Sequence, residues 1–209
     1  MTYANTNKFK GLINRRFFDN LLPIPAENEL ELGSIAPEIQ IYDIRNSQQV
    51  KLSSYRNIQP VILYFTRIFT EQQYCPFCYP HIKEMNERYG EFVDRGIEVL
   101  MITSTDTQQS KNVVRDLDLQ MPLLSDPSCA RFRRYHVGQA LGAPLPAQFV
   151  VNKAGKIVFK HLFSFIHHNA DVDVLLDSVS RQGKWITPPQ NWLGGCVGFK
   201  KETQPTDSH

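Results

Sequence analysis

Two cysteines stand between an apolar run and a helix-periodic stretch in this 209-residue chain. The run Val61–Phe65 is almost entirely apolar and β-favouring, which is typical of a strand buried on both faces of a sheet. After Cys75-Pro76-Phe77-Cys78, apolar residues recur at helical spacing as far as Val93, and the pattern ends before Gly96. The sequence therefore predicts a strand, a loop that carries two thiols, and a helix that begins at those thiols.

The position of the two thiols at a helix start points to redox chemistry. Unpaired N–H groups and the positive end of the helix dipole favour a thiolate at a helix N-terminus. Pro76 suits the first helical position, where its missing N–H costs nothing. A thiolate at Cys75 can attack a disulfide or a peroxide, and Cys78, one turn later, can resolve the product. We therefore interpret the pair as a redox-active dithiol rather than as two inert buried thiols.

Composition narrows the class of protein. The net charge is only +2, and the Lys and Arg residues are scattered, so we do not expect nucleic-acid binding. Four cysteines in 209 residues are too few for a disulfide scaffold. The chain shows neither an apolar run of membrane-spanning length nor the apolar core of a secretory signal. We expect a reducing intracellular location, in the cytoplasm or an organelle stroma.

From about residue 36 the pattern alternates between strands and helices. Strands are predicted at 38–43, 61–66, 97–103, 148–152 and 156–163, and helices after Cys78, around Val113, after Asp126-Pro127 and over 172–179. Crossover helices make the first strands parallel, and the final hairpin adds an antiparallel edge. The prediction is an α/β domain at 36–181, with a central mixed sheet flanked by helices.

Both ends of the chain extend beyond this domain. In residues 1–35, apolar residues at helical spacing predict a short amphipathic helix lying against its own domain, with a membrane or partner surface as the alternative. They are Phe9, Leu12, Ile13, Phe17 and Leu21. The tail at 182–209 carries both Trp residues and Cys196, and we expect it to be partly disordered.

Five motifs in order resemble the peroxiredoxin branch of the thioredoxin fold, in particular the alkyl hydroperoxide reductase/thiol-specific antioxidant family. They are Gly33-Ser34-Ile35-Ala36-Pro37-Glu38-Ile39, Val50-Lys51-Leu52-Ser53-Ser54-Tyr55, Tyr74-Cys75-Pro76-Phe77-Cys78, Leu124-Ser125-Asp126-Pro127, and Leu145-Pro146-Ala147-Gln148-Phe149-Val150-Val151 with Gly155-Lys156-Ile157. The resemblance implies a thioredoxin-like fold and a thiol-dependent oxidoreductase of cell redox homeostasis that needs no cofactor. It also implies that Cys75 is the nucleophile and Cys78 the resolving thiol.

The chain departs from the family pattern at three places. Peroxidase members carry a Thr three residues before the reactive Cys, where this chain has Gln72, and an Arg beside a later strand, where it has Pro146. Pro146 instead resembles the cis-proline that faces the dithiol of thioredoxins. The link from Arg67 to Cys75 is also longer than in related members, so Ile68–Tyr74 is predicted to form a loop beside the thiols.

These departures favour dithiol–disulfide exchange. Pro146, Pro76 and Tyr74 are then the predicted substrate contacts. We expect a thioredoxin- or glutathione-type electron donor and a protein disulfide or peroxide as substrate. The alternatives are a thioredoxin-dependent thiol peroxidase and, in a different class, a redox-responsive adaptor that docks a partner through its terminal extensions.

Other residues of the chain are candidates for a role beside the dithiol. Cys129, expected in the first turn of the short helix after Asp126-Pro127, and Cys196 are candidate resolving thiols, with a buried apolar role as the alternative for Cys129. Cys75, Cys78 and His81 offer three zinc ligands, but the chain has no second close cysteine pair, so we expect no metal. A kink is expected at Pro80, and His167-His168 are predicted to be solvated.

Overall fold

A computed structural model of the protein describes residues 11–180. The strands are β1 (Gln40–Asp43), β2 (Gln48–Lys51), β3 (Val61–Phe65), β4 (Ile68–Thr70), β5 (Gln73–Tyr74), β6 (Glu98–Thr103), β7 (Leu123–Ser125), β8 (Gln139–Ala140), β9 (Ala143–Pro144), β10 (Ala147–Val151) and β11 (Ile157–Leu162). The helices are α1 (Arg15–Asp19), α2 (Cys78–Glu87), α3 (Tyr89–Asp94), α4 (Thr107–Asp116), α5 (Ala130–Arg134) and α6 (Val172–Ser180). In this part of the chain, no helix has the length and apolar character needed to cross a membrane.

Seven of these strands form one mixed sheet, in the order β11-β10-β3-β6-β7-β1-β2. The central strands β3, β6 and β7 are parallel, with Leu63 opposite Leu100. The hairpin of β10 and β11 adds the antiparallel edge, and Phe149 of β10 lies opposite Leu63. The predicted mixed sheet flanked by helices is confirmed. The sequence did not predict the hairpin of β1 and β2 at the other edge, nor the small hairpins β4–β5 and β8–β9.

Each face of the sheet carries its own hydrophobic core, because successive side chains of a strand point to opposite faces. Ile62 and Tyr64 of β3 face a cluster that contains both cysteines of the pair together with apolar residues of α2, α4 and α6. Leu63 and Phe65 face the second cluster, which α5 and the hairpin of β1 and β2 cover. The whole of Val61–Phe65 is buried, as predicted for a strand covered on both faces. The cysteine pair is therefore built into one of the two cores.

The N-terminal segment packs on the domain with polar as well as apolar side chains. Helix α1 is only five residues long, and its surroundings bury Arg16 and Asn20 while Ile13 and Leu21 stay exposed. The Arg16 guanidinium donates to the carbonyl oxygens of Phe69 and Ser104. The predicted apolar stripe is therefore only partly buried: Leu12 and Phe17 are half-buried, and the most deeply buried side chains are polar because nearby carbonyl groups need donors. The predicted stripe residue Phe9 lies outside the described residues.

The same segment runs along the hairpin of β8 and β9. Ile24 and Gln139 exchange two backbone hydrogen bonds of 2.8 Å each. Further along, the Gly142 N–H donates to the Asn20 carbonyl at 2.9 Å. Residues of the extension therefore contact both the hairpin of β8 and β9 and the segments that carry Phe69 and Ser104. These lie at the end of the sheet where the cysteine loop also lies.

Candidate active site

Cys75 lies in a turn that leads directly into α2. Its N–H donates to the Arg67 carbonyl at 3.3 Å, and its own carbonyl accepts from the N–H groups of Cys78 and Tyr79 at 3.0 Å each. The helix begins at Cys78, so Pro76 lies in the turn and is not the first helical residue. The Tyr79 N–H makes a regular helical bond to the Cys75 carbonyl, but Pro80 has no N–H to donate to the Pro76 carbonyl, so the continuous helix starts only at Cys78. The two thiols nevertheless flank the start of α2, as predicted.

Pro80 does not interrupt α2. It is the third helical residue, and the first four N–H groups of a helix have no partner within the helix. The helix runs without a break from Cys78 through Pro80 to Glu87, and the kink at Pro80 stays a prediction.

The surroundings of the two thiols polarise them in opposite directions. A hydrogen bond from the Cys78 thiol, followed by the backbone N–H groups of Phe77 and Cys78 and the charge of Arg67, lowers the pKa of Cys75 to about 5, against the effect of burial. Cys78 is the donor of this hydrogen bond and would lose the bond on giving up its proton. The bond and burial therefore raise the pKa of Cys78 far above its ordinary value. Cys75 is 5% exposed, whereas Cys78 is fully buried. The negative charge therefore resides on Cys75, the less deeply buried of the two thiols.

Arg67 is a site residue that the sequence analysis missed. Its side chain is buried, donates to the Ala140 carbonyl, and lies 4.8 Å from the ring centroid of Phe69. Its charge acts on both Cys75 and Cys78. The available signal was a cationic residue placed directly after a buried strand and before the thiol loop. The family pattern places its Arg at the position of Pro146 and so gives no indication of a role for Arg67.

A loop after β11 closes over the other side of the cysteine turn. Gln148 of β10 anchors it, donating to Asn169 Oδ1 and accepting from the Ala170 N–H, each at 2.9 Å. Asn169 in turn donates to the Phe77 carbonyl at 3.2 Å. The His168 ring stacks on Phe77 with ring centroids 3.7 Å apart, so His168 belongs to the site and the prediction of a solvated residue is wrong.

The rim of the site is apolar and exposed. Phe77 lies between the two cysteines in sequence and is 54% exposed, and Phe165 and Ile166 of the same closing loop are 90% and 71% exposed. Exposed apolar side chains grouped beside a reactive thiol are typical of a surface that receives another molecule.

His81 is part of a hydrogen-bonded pair beneath the thiols. Its Nδ1 lies 2.9 Å from the Tyr64 hydroxyl, and its Nε2 lies 2.8 Å from the Ala170 carbonyl oxygen. Since both ring nitrogens are engaged, His81 does not present a free nitrogen to a metal ion beside the cysteines. Across residues 11–180 the structure groups no three side chains that could hold a metal. Burial lowers the pKa of His81 to about 4.

Two of the three predicted substrate contacts line one cleft. Pro76 and Tyr74 line an open cleft of about 500 Å³ together with Gln72 and Tyr79, and the rings of Tyr74 and Tyr79 lie 5.1 Å apart. Ile68–Tyr74, predicted as a loop, is the hairpin of β4 and β5 that forms one wall of this cleft.

Pro146 directly precedes β10, whose first residue pairs with Phe65 at the end of β3. The described residues contain no cis peptide bond, so the predicted cis-proline at Pro146 is wrong. A trans bond is the lower-energy form for most X–Pro pairs, and it carries the chain from β9 into β10.

The structure does not bring Cys129 to the pair. Cys129 is buried in the second cluster, on the opposite face of the sheet, and burial raises the pKa of its thiol to about 11. It precedes α5 instead of lying in its first turn, because the Asp126 carboxylate accepts from the Arg131 N–H and the helix starts only at Ala130. This placement favours the apolar role over the resolving one. The other candidate, Cys196, lies outside the described residues.

Known proteins similar to this chain are consistent with the site. A model of the AhpC/TSA family matches residues 32–160. The thiol-disulfide oxidoreductase ResA of Bacillus cereus is 27% identical over 135 residues, which are 64% of this chain and 71% of the relative.

Solved structures show the same fold. A peroxiredoxin-like protein from Aquifex aeolicus superimposes with a TM-score of 0.61 at 20% identity, covering 74% of this chain and 89% of that one. AhpC of Enterococcus faecalis gives 0.62 at 16% identity, with 73% and 92% covered. The chain thus has the thioredoxin-like fold that the motifs implied.

Proposed function

The chain belongs to the AhpC/TSA family, and we propose that it is a dithiol–disulfide oxidoreductase in which Cys75 attacks and Cys78 resolves. Membership of this family makes it a thiol-dependent oxidoreductase, which favours turnover over the adaptor alternative. The reaction needs no cofactor in this proposal, because the two thiols hold both electrons themselves.

The observation that carries the proposal is the opposite polarisation of two neighbouring thiols. A thiolate is the form that attacks a disulfide, and a pKa of about 5 keeps Cys75 in that form at neutral pH. Attack at Cys75 gives a mixed disulfide with the substrate. Cys78 then attacks the Cys75 sulfur, the substrate leaves as a thiol, and the enzyme keeps a Cys75–Cys78 disulfide.

Two features support a protein disulfide as the substrate. First, Gln72 stands where a peroxidase would carry a Thr hydroxyl, and its hairpin lines an open cleft instead of a closed peroxide pocket. Second, the exposed rim of Phe77, Phe165 and Ile166 offers apolar area that a polypeptide can cover and a peroxide cannot.

A thiol peroxidase is the second candidate, and Arg67 favours it. Its Nε is buried and has no hydrogen-bond partner among residues 11–180. A free guanidinium donor next to a thiolate is the kind of group that binds a peroxide oxygen. Arg67 would then replace the Arg that the family carries at the position of Pro146.

The electron donor and the location are further parts of the proposal. The Cys75–Cys78 disulfide is reduced back to the dithiol by a dithiol of the thioredoxin type or by two glutathione-type thiols, which become a disulfide themselves. We retain the cytoplasm or an organelle stroma as the proposed location, since either supplies such donors. Fractionation of cells that express the full chain tests this.

Turnover assays separate the two candidates. The full chain, Cys75→Ser and Cys78→Ser are assayed with a protein disulfide and with hydrogen peroxide, each with a thioredoxin system as donor. The proposal expects disulfide reduction that both substitutions abolish, with Cys129→Ser as the control that keeps activity. Peroxide consumption without disulfide reduction would establish the peroxidase instead, and full activity in Cys75→Ser would exclude both.

A further inference from the structure

The resolving step poses a problem of proton transfer. In the reduced pair, the Cys78 thiol donates its proton to a hydrogen bond with the Cys75 thiolate. Once Cys75 is bonded to a substrate sulfur, that acceptor is lost. Cys78 must then lose its proton before it can attack, and it is fully buried away from water.

The buried pair of Tyr64 and His81 has an acceptor ready for a proton. The Ala170 carbonyl can only accept, so His81 Nε2 carries the ring proton in its 2.8 Å contact with that oxygen. The unprotonated Nδ1 therefore accepts the hydrogen bond from the Tyr64 hydroxyl at 2.9 Å. The Tyr64 proton already points at His81, and the phenol oxygen, on which the Thr66 side chain also acts by a hydrogen bond, is itself an acceptor.

This pair belongs to the same buried part of the molecule as the resolving thiol. His81 follows Cys78 by three residues in α2, so both project from the same face of the helix. Tyr64 faces the same hydrophobic cluster as Cys78 from β3. Burial raises the pKa of Tyr64, and a charge on Cys78 raises it further, so the hydroxyl and the thiol interact electrostatically. Arg67, the other group that acts on Cys78, has no lone pair to accept a proton.

We propose that Tyr64 and His81 form a proton relay that takes the Cys78 proton during resolution, an inference that rests on the function proposed above. The Cys78 proton passes to the Tyr64 oxygen as the Tyr64 proton passes to His81 Nδ1. The electron pair left on Cys78 forms the bond to the Cys75 sulfur. The bond between Cys75 and the substrate sulfur breaks, and the substrate leaves as a thiolate that takes up one proton from water. His81 then releases its proton to water, which balances the proton that the substrate thiolate takes up.

The charges around the relay suit a transient proton. Towards Tyr64 lie Cys75, Cys78 and Glu84, and towards His81 lie His161 and Asp171. Burial lowers the pKa of His81 to about 4, with His161 acting in the same direction, so Nδ1 is unprotonated at physiological pH and holds a proton only briefly. A developing thiolate on Cys78 and the carboxylate of Asp171 both favour the imidazolium while it exists.

A two-phase release assay tests the relay. All variants carry Cys129→Ser and Cys196→Ser, and 5,5′-dithiobis(2-nitrobenzoate) in stoichiometric amount is the disulfide. Attack by Cys75 releases one coloured thiolate, and resolution by Cys78 releases the second, so stopped-flow absorbance follows the two steps separately. Tyr64→Phe and His81→Gln are the test variants. Tyr135→Phe is the matched control, because Tyr135 is another buried tyrosine, on the opposite face, whose hydroxyl donates to the Pro37 carbonyl.

The relay predicts that both test variants keep the first phase within twofold and slow the second by about 100-fold, as expected for the loss of a proton acceptor. In Tyr64→Phe the rate of the second phase should also rise about tenfold for each pH unit, because solvent hydroxide then takes the Cys78 proton. The rate in the parent should not depend on pH in this way. Tyr64→Phe keeps the ring, so it tests the relay even if His81→Gln does not fold.

Three outcomes would refute the relay, and they can be told apart. A normal first phase with an unchanged second phase in Tyr64→Phe overturns the relay and leaves the proposed function intact. A parent chain that releases no thiolate from Cys75 overturns the proposed function and the relay together. A second phase slowed equally by Tyr135→Phe would also refute the relay, since the effect would then come from packing.

Discussion

Replacing Cys78 by Ala should raise the pKa of Cys75 by an amount that the structure lets us work out. The Cys78 thiol makes the largest favourable contribution to the Cys75 thiolate. A hydrogen bond to a charged group contributes about 1.5–3 kcal/mol. Since one pKa unit corresponds to about 1.4 kcal/mol, its loss should raise the pKa of Cys75 by about one to two units. The backbone N–H groups and Arg67 remain, so the pKa should stay below that of an ordinary thiol.

Alkylation measures this shift directly. The rate at which iodoacetamide modifies Cys75, read by mass spectrometry from pH 4 to pH 10, follows the thiolate fraction. The full chain should show a midpoint near pH 5, and Cys78→Ala a midpoint between about pH 6 and 7. Cys129→Ala is the matched control, because it removes a buried thiol from the other core. An unchanged midpoint in Cys78→Ala would refute the reasoning, as would a midpoint near pH 9 in the full chain.

Three other predictions concern the surroundings of the pair. Arg67→Met should raise the pKa of Cys75 by less than Cys78→Ala does, because the Arg67 charge ranks below the hydrogen bonds, and the same alkylation assay would contradict this with a larger rise. The pKa of folded His81 is lowered from 6.5 to about 4, so the stability it contributes is present above pH 6.5 and is lost as pH falls through 4. Urea unfolding should show the full chain losing up to about 3 kcal/mol more than His81→Gln over this range, whereas parallel curves would disprove it. Gly142→Ala would place a Cβ 2.1 Å from the Phe17 ring at a φ of +84°, and should lower the free energy of unfolding by about 1–3 kcal/mol. Gly33→Ala, at a φ of +89° with nothing within 4 Å, is its control and should cost less.

The sheet and the thiol loop were predictable because their signals are local. Val61–Phe65 is apolar at every position, which only a strand covered on both faces requires. The spacing of Cys75 and Cys78 at a helix start indicates a redox-active pair without any information on distant residues. The hairpins β4–β5 and β8–β9 escaped prediction because their strands of two or three residues are too short for an alternating pattern.

The polar contacts of the site could not be read from the sequence, because each partner is distant along the chain. Arg16 is a surface residue by type, yet it is buried because carbonyl groups of Phe69 and Ser104 need donors. His168 reaches Phe77 only because Gln148 anchors the intervening loop. His81 could be weighed as a zinc ligand until Tyr64 and Ala170 were seen to occupy its two nitrogens.

The most direct test of the central claim is the identity of the sulfur that attacks. Cys78→Ser is mixed with a peptide disulfide in slight excess at pH 7, and the adduct is mapped by digestion and mass spectrometry. The account predicts one mixed disulfide per chain, on Cys75, and none in the Cys75→Ser, Cys78→Ser double variant. An adduct on Cys129 or Cys196, with Cys75 unmodified, would contradict it.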